Sequence, residues 1–190
     1  MLRSLRLLIA VGLLLTTGLV VPASAQAPAA TTFHSGAEDG FVAAINSARA
    51  AQGLAPLVVN AELRGVAQGW SAQLRDAGRL SHNPHYADQY TGQRSRMGEN
   101  VGTATAPGWS ADTLVARLHE AFMASSGHRA NILGDYNQVG VGVVIDGSTM
   151  WVTVNFLQGP VPTPPPVVER HDEPTPPRPT PVLPGHFRRP

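Results

Sequence analysis

Apolar residues recur along the chain with two different periods. Phe41, Ala44, Ile45, Ala48 and Ala51 follow the i, i+3, i+4, i+7 spacing of one helix face. This predicts a helix opening near Ser35 to Glu38, where Glu38 and Asp39 suit the positive end of its dipole, and stopping at Gly53. Leu54-Ala55-Pro56-Leu57 turns the chain. A second stripe, Leu63, Val66, Ala67, Trp70 and Leu74, starts behind the N-cap residue Asn60 and ends at Gly78. A third, Leu114, Val115, Leu118 and Phe122, predicts a helix from about Ala111 to Ala124, capped by Ser110 or Asp112.

Near the C-terminal end the period changes to two. Gln138 to Ile145 and Met150 to Leu157 are rich in β-branched residues, and Asp146-Gly147-Ser148 between them is a hairpin signal. Gly140 and Gly142 alternate with Val139, Val141 and Val143, so one strand face lets another element, most simply a helix, approach closely. Met97 to Thr103 reads as a short strand carrying Glu99. Leu80 to Arg96 has no period and contains Pro84, Asp88 and Gly92, the marks of a long loop. The pattern predicts an α+β fold in which helices cover a small antiparallel sheet.

The two ends follow different rules. Met1 to Ala25 has Arg3 and Arg6, an apolar run from Leu7 to Val21, and the small-residue sequence Ala23-Ser24-Ala25. This is the form of a secretory signal peptide; the alternative is an uncleaved N-terminal anchor. Residues 26–34 form a flexible lead-in, and 35–159 the folded domain. Residues 160–190 hold 12 prolines and too little apolar surface for a core. That tail is expected to be extended or disordered, to thread a wall layer, to bind a partner, or to act as an inert spacer.

Composition removes several chemistries. The 190 residues include no cysteine, so disulfides, thiolate nucleophiles, cysteine-based zinc sites and an N-terminal lipid anchor are excluded. Formal net charge is +1 and no basic stripe crosses the middle of the chain, which argues against nucleic acid.

Three short stretches carry titratable residues at element boundaries: Leu80-Ser81-His82, Gly98-Glu99-Asn100, and the run from Ser126 to Leu133 that contains His128. Two histidines and a carboxylate brought together can bind a divalent metal or move a proton. Spacing alone equally allows three hydrogen-bonded polar residues that stitch a core. Ser125 and Ser126 near His128 do not make a Ser-His hydrolase, because neither a nucleophile elbow nor a third member is visible. His85 lies in the long loop, within reach of such a site, whereas His119 is expected to be solvated or capping.

Phe41 to Leu57, Leu80-Ser81-His82, Gly98-Glu99-Asn100, Gly127 to Leu133 and Val139 to Gly142 occur in the order found in bacterial CAP-superfamily domains. This superfamily, also called SCP, includes the plant pathogenesis-related-1 and cysteine-rich secretory proteins. The resemblance covers about Phe41 to Leu157 and implies a three-layer α-β-α sandwich. It also implies a central cleft lined by two histidines and two glutamates, with divalent metal on the histidines in some members. His82, Glu99 and His128 match three of those four positions. Ser125 stands where the second glutamate is expected, three residues after the aromatic Phe122. Glu120 cannot replace it, being two positions from Phe122 and on another helix face.

Two functions follow as expectations. The first is a secreted, non-enzymatic binding module for a lipid, a wall polymer or a protein, extracellular or wall-associated, with no membrane span once the signal is removed. The second is a metal-dependent hydrolase with His82 and His128 as ligands of an ion such as zinc and Glu99 as general base. A catalytic zinc needs three protein ligands and an open position, and the third ligand is not evident.

Overall fold

The computed structural model describes residues 31–161. The proposed signal segment Met1 to Ala25, the start of the lead-in, and the tail from position 162 lie outside the described residues.

Nine elements follow in order: α1 (Ser35–Ala50), β1 (Val58–Val59), α2 (Ala61–Ala77), α3 (Tyr86–Gln89), β2 (Arg96–Thr105), α4 (Ala111–Ala124), α5 (Ser126–Ile132), β3 (Gln138–Asp146) and β4 (Thr149–Gln158). The three long helices fall where the apolar stripes place them. Asn60 caps α2 by accepting from Leu63 N–H, and Ser110 caps α4 by accepting from Thr113 N–H. Gly53 and Gly78, past the ends of α1 and α2, have φ of +69° and +62°, a conformation that favours glycine.

The sheet order is β1-β3-β4-β2. β3 and β4 form the expected hairpin, and β2 pairs antiparallel with β4, Glu99 opposite Asn155. The sequence reading missed β1, which pairs parallel with β3 at Val58↔Gln138 and Val59↔Val139.

Helices cover both faces of the sheet. α1, α4 and α5 lie on one side, where Phe41, Ile45, Leu118 and Phe122 join Val139, Val141, Val143, Val152, Val154 and Phe156 in the main core. α2 covers the other side, where Leu74 meets Val101 and Trp151. β3 and β4 are therefore buried on both faces, and the period of two separates valines from glycines, not core from solvent. A Cβ on Gly140 or Gly142 would run into the α2 backbone at Leu63–Arg64 or Ala67–Gln68. These glycines set how closely helix and sheet approach.

Two polar residues depart from the expected pattern. Glu38 is buried, not a solvated dipole partner: its carboxylate accepts from Gln68 Nε2 at 2.9 Å and from Val143 N–H at 3.2 Å. Arg49 is also buried, although the last turn of a helix reads as surface. Its guanidinium donates to the carbonyls of Ala55, Ile132, Gly134 and Tyr136. It thereby ties α1 to the connection between α5 and β3.

Candidate functional site

β2 is an edge strand, and alternation sends its side chains to opposite faces. Glu99 and Val101 face the α2 side. Gly98, Asn100 and Gly102 face the α4–α5 side, where a Cβ on Gly102 would meet the Phe122 ring at 2.9 Å. Residues from both layers thus gather around the first half of this strand.

On the α2 side, the αL turn at Gly78 releases the chain into the loop that carries His82. Trp70 Nε1–H donates to the Ser81 carbonyl at 2.9 Å and pins the loop next to His82. His82 Nδ1 lies 2.8 Å from Glu99 Oε1, and Asn83 N–H donates to the same oxygen at 2.9 Å. Asn83 is itself held, its Oδ1 accepting from His85 N–H and its Nδ2 donating to Gln89 Oε1. Glu99 Oε2 is buried with no hydrogen-bond partner among the described residues, and so is the amide of Asn155 across the strand pair. Burial holds the Glu99 carboxyl above the usual carboxylate range, against the contrary pull of the Asn83 N–H and of His82.

On the other side, Ser125 links α4 to α5, its N–H bonding the carbonyls of Ala121 and Phe122. Its side chain makes no capping bond to α5. His128 lies on α5 with its ring 4.9 Å from that of Phe122, edge to face. Burial, and secondarily the charge on His82, hold His128 below the ordinary imidazole value.

Two asparagines lock the halves together. Asn100 Nδ2 donates to the His128 carbonyl at 3.0 Å. Asn131 Nδ2 donates to the Glu99 carbonyl at 3.1 Å and to Asn100 Oδ1 at 2.9 Å. The structure therefore brings His82 and Glu99 into contact and ties the helix that carries His128 to the same strand through Asn100 and Asn131; Ser125 adds no charge. His85 stays at the rim, exposed and 3.9 Å from Asp88. His119 is half-buried with Nδ1 unpartnered, not solvated, and burial lowers its pKa.

Sequence reasoning missed Asn83, Asn131 and Tyr86. The Tyr86 phenol is held above its usual value by burial and then by the charge of Glu99. Asn131 lay in view within the His128 run, and its hydrogen-bonding side chain was the only signal.

The model of CAP, the cysteine-rich secretory protein family, matches residues 42–156. The chain belongs to the CAP family. Among solved structures, an extracellular SCP-domain protein from Bacillus anthracis str. Ames is 26% identical with a TM-score of 0.54, over 66% of this chain and 41% of that one. An outer surface protein from Borrelia burgdorferi, 14% identical with a TM-score of 0.57, covers 68% of this chain and 98% of that one. A third similar protein, whose crystal structure was determined with Zn2+, is 14% identical with a TM-score of 0.52, over 65% of this chain and 80% of that one. This CAP chain thus spans about two fifths of the Bacillus protein. A comparison with curated proteins gives no match. The α-β-α layering is the family's, here held together without a cysteine. No described helix is long and apolar enough to cross a membrane.

Proposed function

We propose that this chain is a secreted CAP-domain binding module whose His82–Glu99–His128 cleft is chiefly structural, with a weak two-imidazole site for a divalent metal. Secretion rests on the form of Met1 to Ala25 and on extracellular relatives such as the Bacillus protein. The ligand class is a lipid, a wall polymer or a protein.

The observation that carries this reading is the donor set. Among the described residues no three His, Cys, Asp or Glu side chains gather to hold a metal ion. Glu99 spends Oε1 on His82 and on the Asn83 N–H, and Ser125 occupies the place of a second carboxylate. A hydrogen bond donated by His82 Nδ1–H to Glu99 Oε1 fixes the His82 tautomer and leaves Nε2 as the ligand atom. Burial favours neutral His128, the form a metal requires. The residues fit an ion held by His82 and His128, in keeping with the relative determined with Zn2+. They do not fit a three-ligand catalytic centre. If bound, the ion would supply positive charge to an anionic group of a ligand.

Metal content, zinc affinity and hydrolysis of ester and peptide substrates, measured together on the full chain, test the reading. Expected are zinc binding in the micromolar range or weaker and no zinc-dependent turnover. Tight stoichiometric zinc with turnover that follows metal occupancy would make the protein a hydrolase instead.

A further inference from the structure

The layer between α2 and the sheet holds two separate apolar clusters. One is Leu63, Tyr90 and Leu157 with Met97, and the other is Leu74, Val101 and Trp151 with Trp70. What lies between them is polar. Alternation puts Glu99 on the face of β2 that carries Met97 and Val101, and Asn155 on the face of β4 that carries Thr153 and Leu157. The register sets Glu99 directly opposite Asn155, and Val101 opposite Thr153. On the other flank of β4, Asn155 is opposite Gly140, where α2 comes down on the sheet at Leu63–Arg64. A polar seam thus runs from the exposed His82 through Glu99 to the middle of the sheet.

The seam is satisfied at one end only. Ser71 Oγ lies 3.0 Å from Thr153 Oγ1 and donates to the Gly142 carbonyl at 2.8 Å. Asn155 is fully buried, yet neither Oδ1 nor Nδ2 has a hydrogen-bond partner among the described residues, and the same is true of Glu99 Oε2. Side chains of directly opposed strand residues start from Cβ atoms about 5 Å apart. The two groups are complementary, because a carboxylate only accepts and a carboxamide N–H donates. They face each other without bonding, which is the arrangement one water closes: it accepts from Nδ2–H and donates to Oε2. A buried water needs two to four such polar partners.

We propose that a bound water bridges Asn155 Nδ2 and Glu99 Oε2, and that Asn155 is a positioning residue for the cleft. Glu99 Oε1 is taken by His82 Nδ1 and the Asn83 N–H. The bridge to Oε2 fixes the twist of the carboxylate, and so the aim of Oε1 at His82. Asn155 thereby acts on an imidazole that it does not touch. This role is independent of the ligand the cleft takes and of any metal.

NMR of the full chain, without metal, tests both halves. The Asn155 side-chain amide protons should show a nuclear Overhauser effect to a long-lived water. The same cross-peak should persist in Thr153→Val, which removes a hydroxyl able to relay such a signal. At about pH 8, above the imidazole range, ring nitrogen shifts should report His82 in the Nδ1–H tautomer. In Asn155→Leu, similar in size and unable to hold water, His82 should shift toward the Nε2–H tautomer. Asn155→Thr, which keeps a hydroxyl for the water, should restore much of the Nδ1–H form. Absence of the water cross-peak in the parent, or its loss in Thr153→Val, would overturn the bridge. An unchanged His82 tautomer in Asn155→Leu would overturn the positioning role. Should that variant not fold, Asn155→Ala is read in its place, and the cross-peak in the parent still decides the bridge.

Discussion

His82 Nδ1 and Glu99 Oε1 are 2.8 Å apart, yet the imidazole is 65% exposed and the carboxylate 2%. The pair is asymmetric. Water can replace the histidine as a partner for the outer face, but nothing mobile can replace the carboxylate inside. The exposed member is therefore the one available for ligand chemistry, and the buried member supports the loop.

Truncations on the two sides should cost different amounts. Glu99→Ala strands the Asn83 N–H and is expected to lower stability by about 1–3 kcal/mol. His82→Ala should stay within roughly 0.5 kcal/mol, as for an exposed residue. Urea unfolding of both variants checks this, and equal losses would mean that the histidine carries structural weight. The sign with pH follows from the raised Glu99 value. The folded state keeps this proton longer than the unfolded chain, whose carboxyl titrates near about 4.3. The contribution of Glu99 is largest below that pH and declines as pH rises through the folded value. Glu99→Gln, which keeps an acceptor oxygen, should flatten that decline.

Arg49 should be among the least replaceable side chains outside the cleft. Its bonds to the Ile132, Gly134 and Tyr136 carbonyls hold the turn between the His128 helix and β3. Arg49→Met fills similar space but removes the donor from the Ile132 and Tyr136 carbonyls, while Gly134 keeps only the Tyr136 N–H. We expect a loss of more than about 3 kcal/mol. Amide exchange should show the opening concentrated around residues 132–137. A uniform loss across the domain would contradict the local role.

How much of this was legible follows from what each residue must satisfy. The α4 stripe is readable because Leu114, Val115, Leu118 and Phe122 all face one sheet, and burial alone dictates their type. Glu38 and Arg49 were not, because their partners lie far away in sequence: Gln68 and Val143 for one, the 132–136 carbonyls for the other. A polar residue at a helix end reads as surface unless the distant partner is known. β1 escaped because it has two residues, both exposed, and its pairing is decided by β3. At the site, His82, Glu99 and His128 stand in a recognisable order of short motifs, whereas the amides of Asn83 and Asn131 act through hydrogen bonds that have no sequence period.

The glycines of β3 should resist the smallest enlargement. A Cβ on Gly142 would meet the Ala67–Gln68 backbone, which is main chain within a helix and cannot rotate aside. Gly142→Ala should push α2 away from the sheet and cost at least about 1–3 kcal/mol, the range for overpacking. Gly65→Ala, on the exposed face of α2 with nothing within 4 Å of its Cβ, is the control. It should be neutral or stabilise by up to about 1 kcal/mol. Thermal melts of the two variants separate close packing from helix propensity, and similar melts would remove the packing role assigned to β3.

Zinc binding should depend on both imidazoles and on acid in a definite direction. A histidine binds metal only when neutral, so protons compete with the ion. Burial and His82 place the His128 value below the ordinary 6.5. His128 therefore stays neutral to a lower pH than a free imidazole, and is lost as a ligand below its lowered value. The same shift bears on stability. The unfolded chain takes up this proton first, so the contribution of His128 is intact above about 6.5 and falls away toward its folded value. Calorimetric titration of the full chain with zinc at pH 7 and pH 5 should show affinity falling by roughly tenfold or more. His82→Ala and His128→Ala should each abolish measurable binding at pH 7. Glu99→Gln should keep it within several-fold, because Glu99 orients His82 without being a ligand. Parent-like affinity in either histidine variant would remove that residue from the site, and complete loss in Glu99→Gln would make the carboxylate itself a ligand.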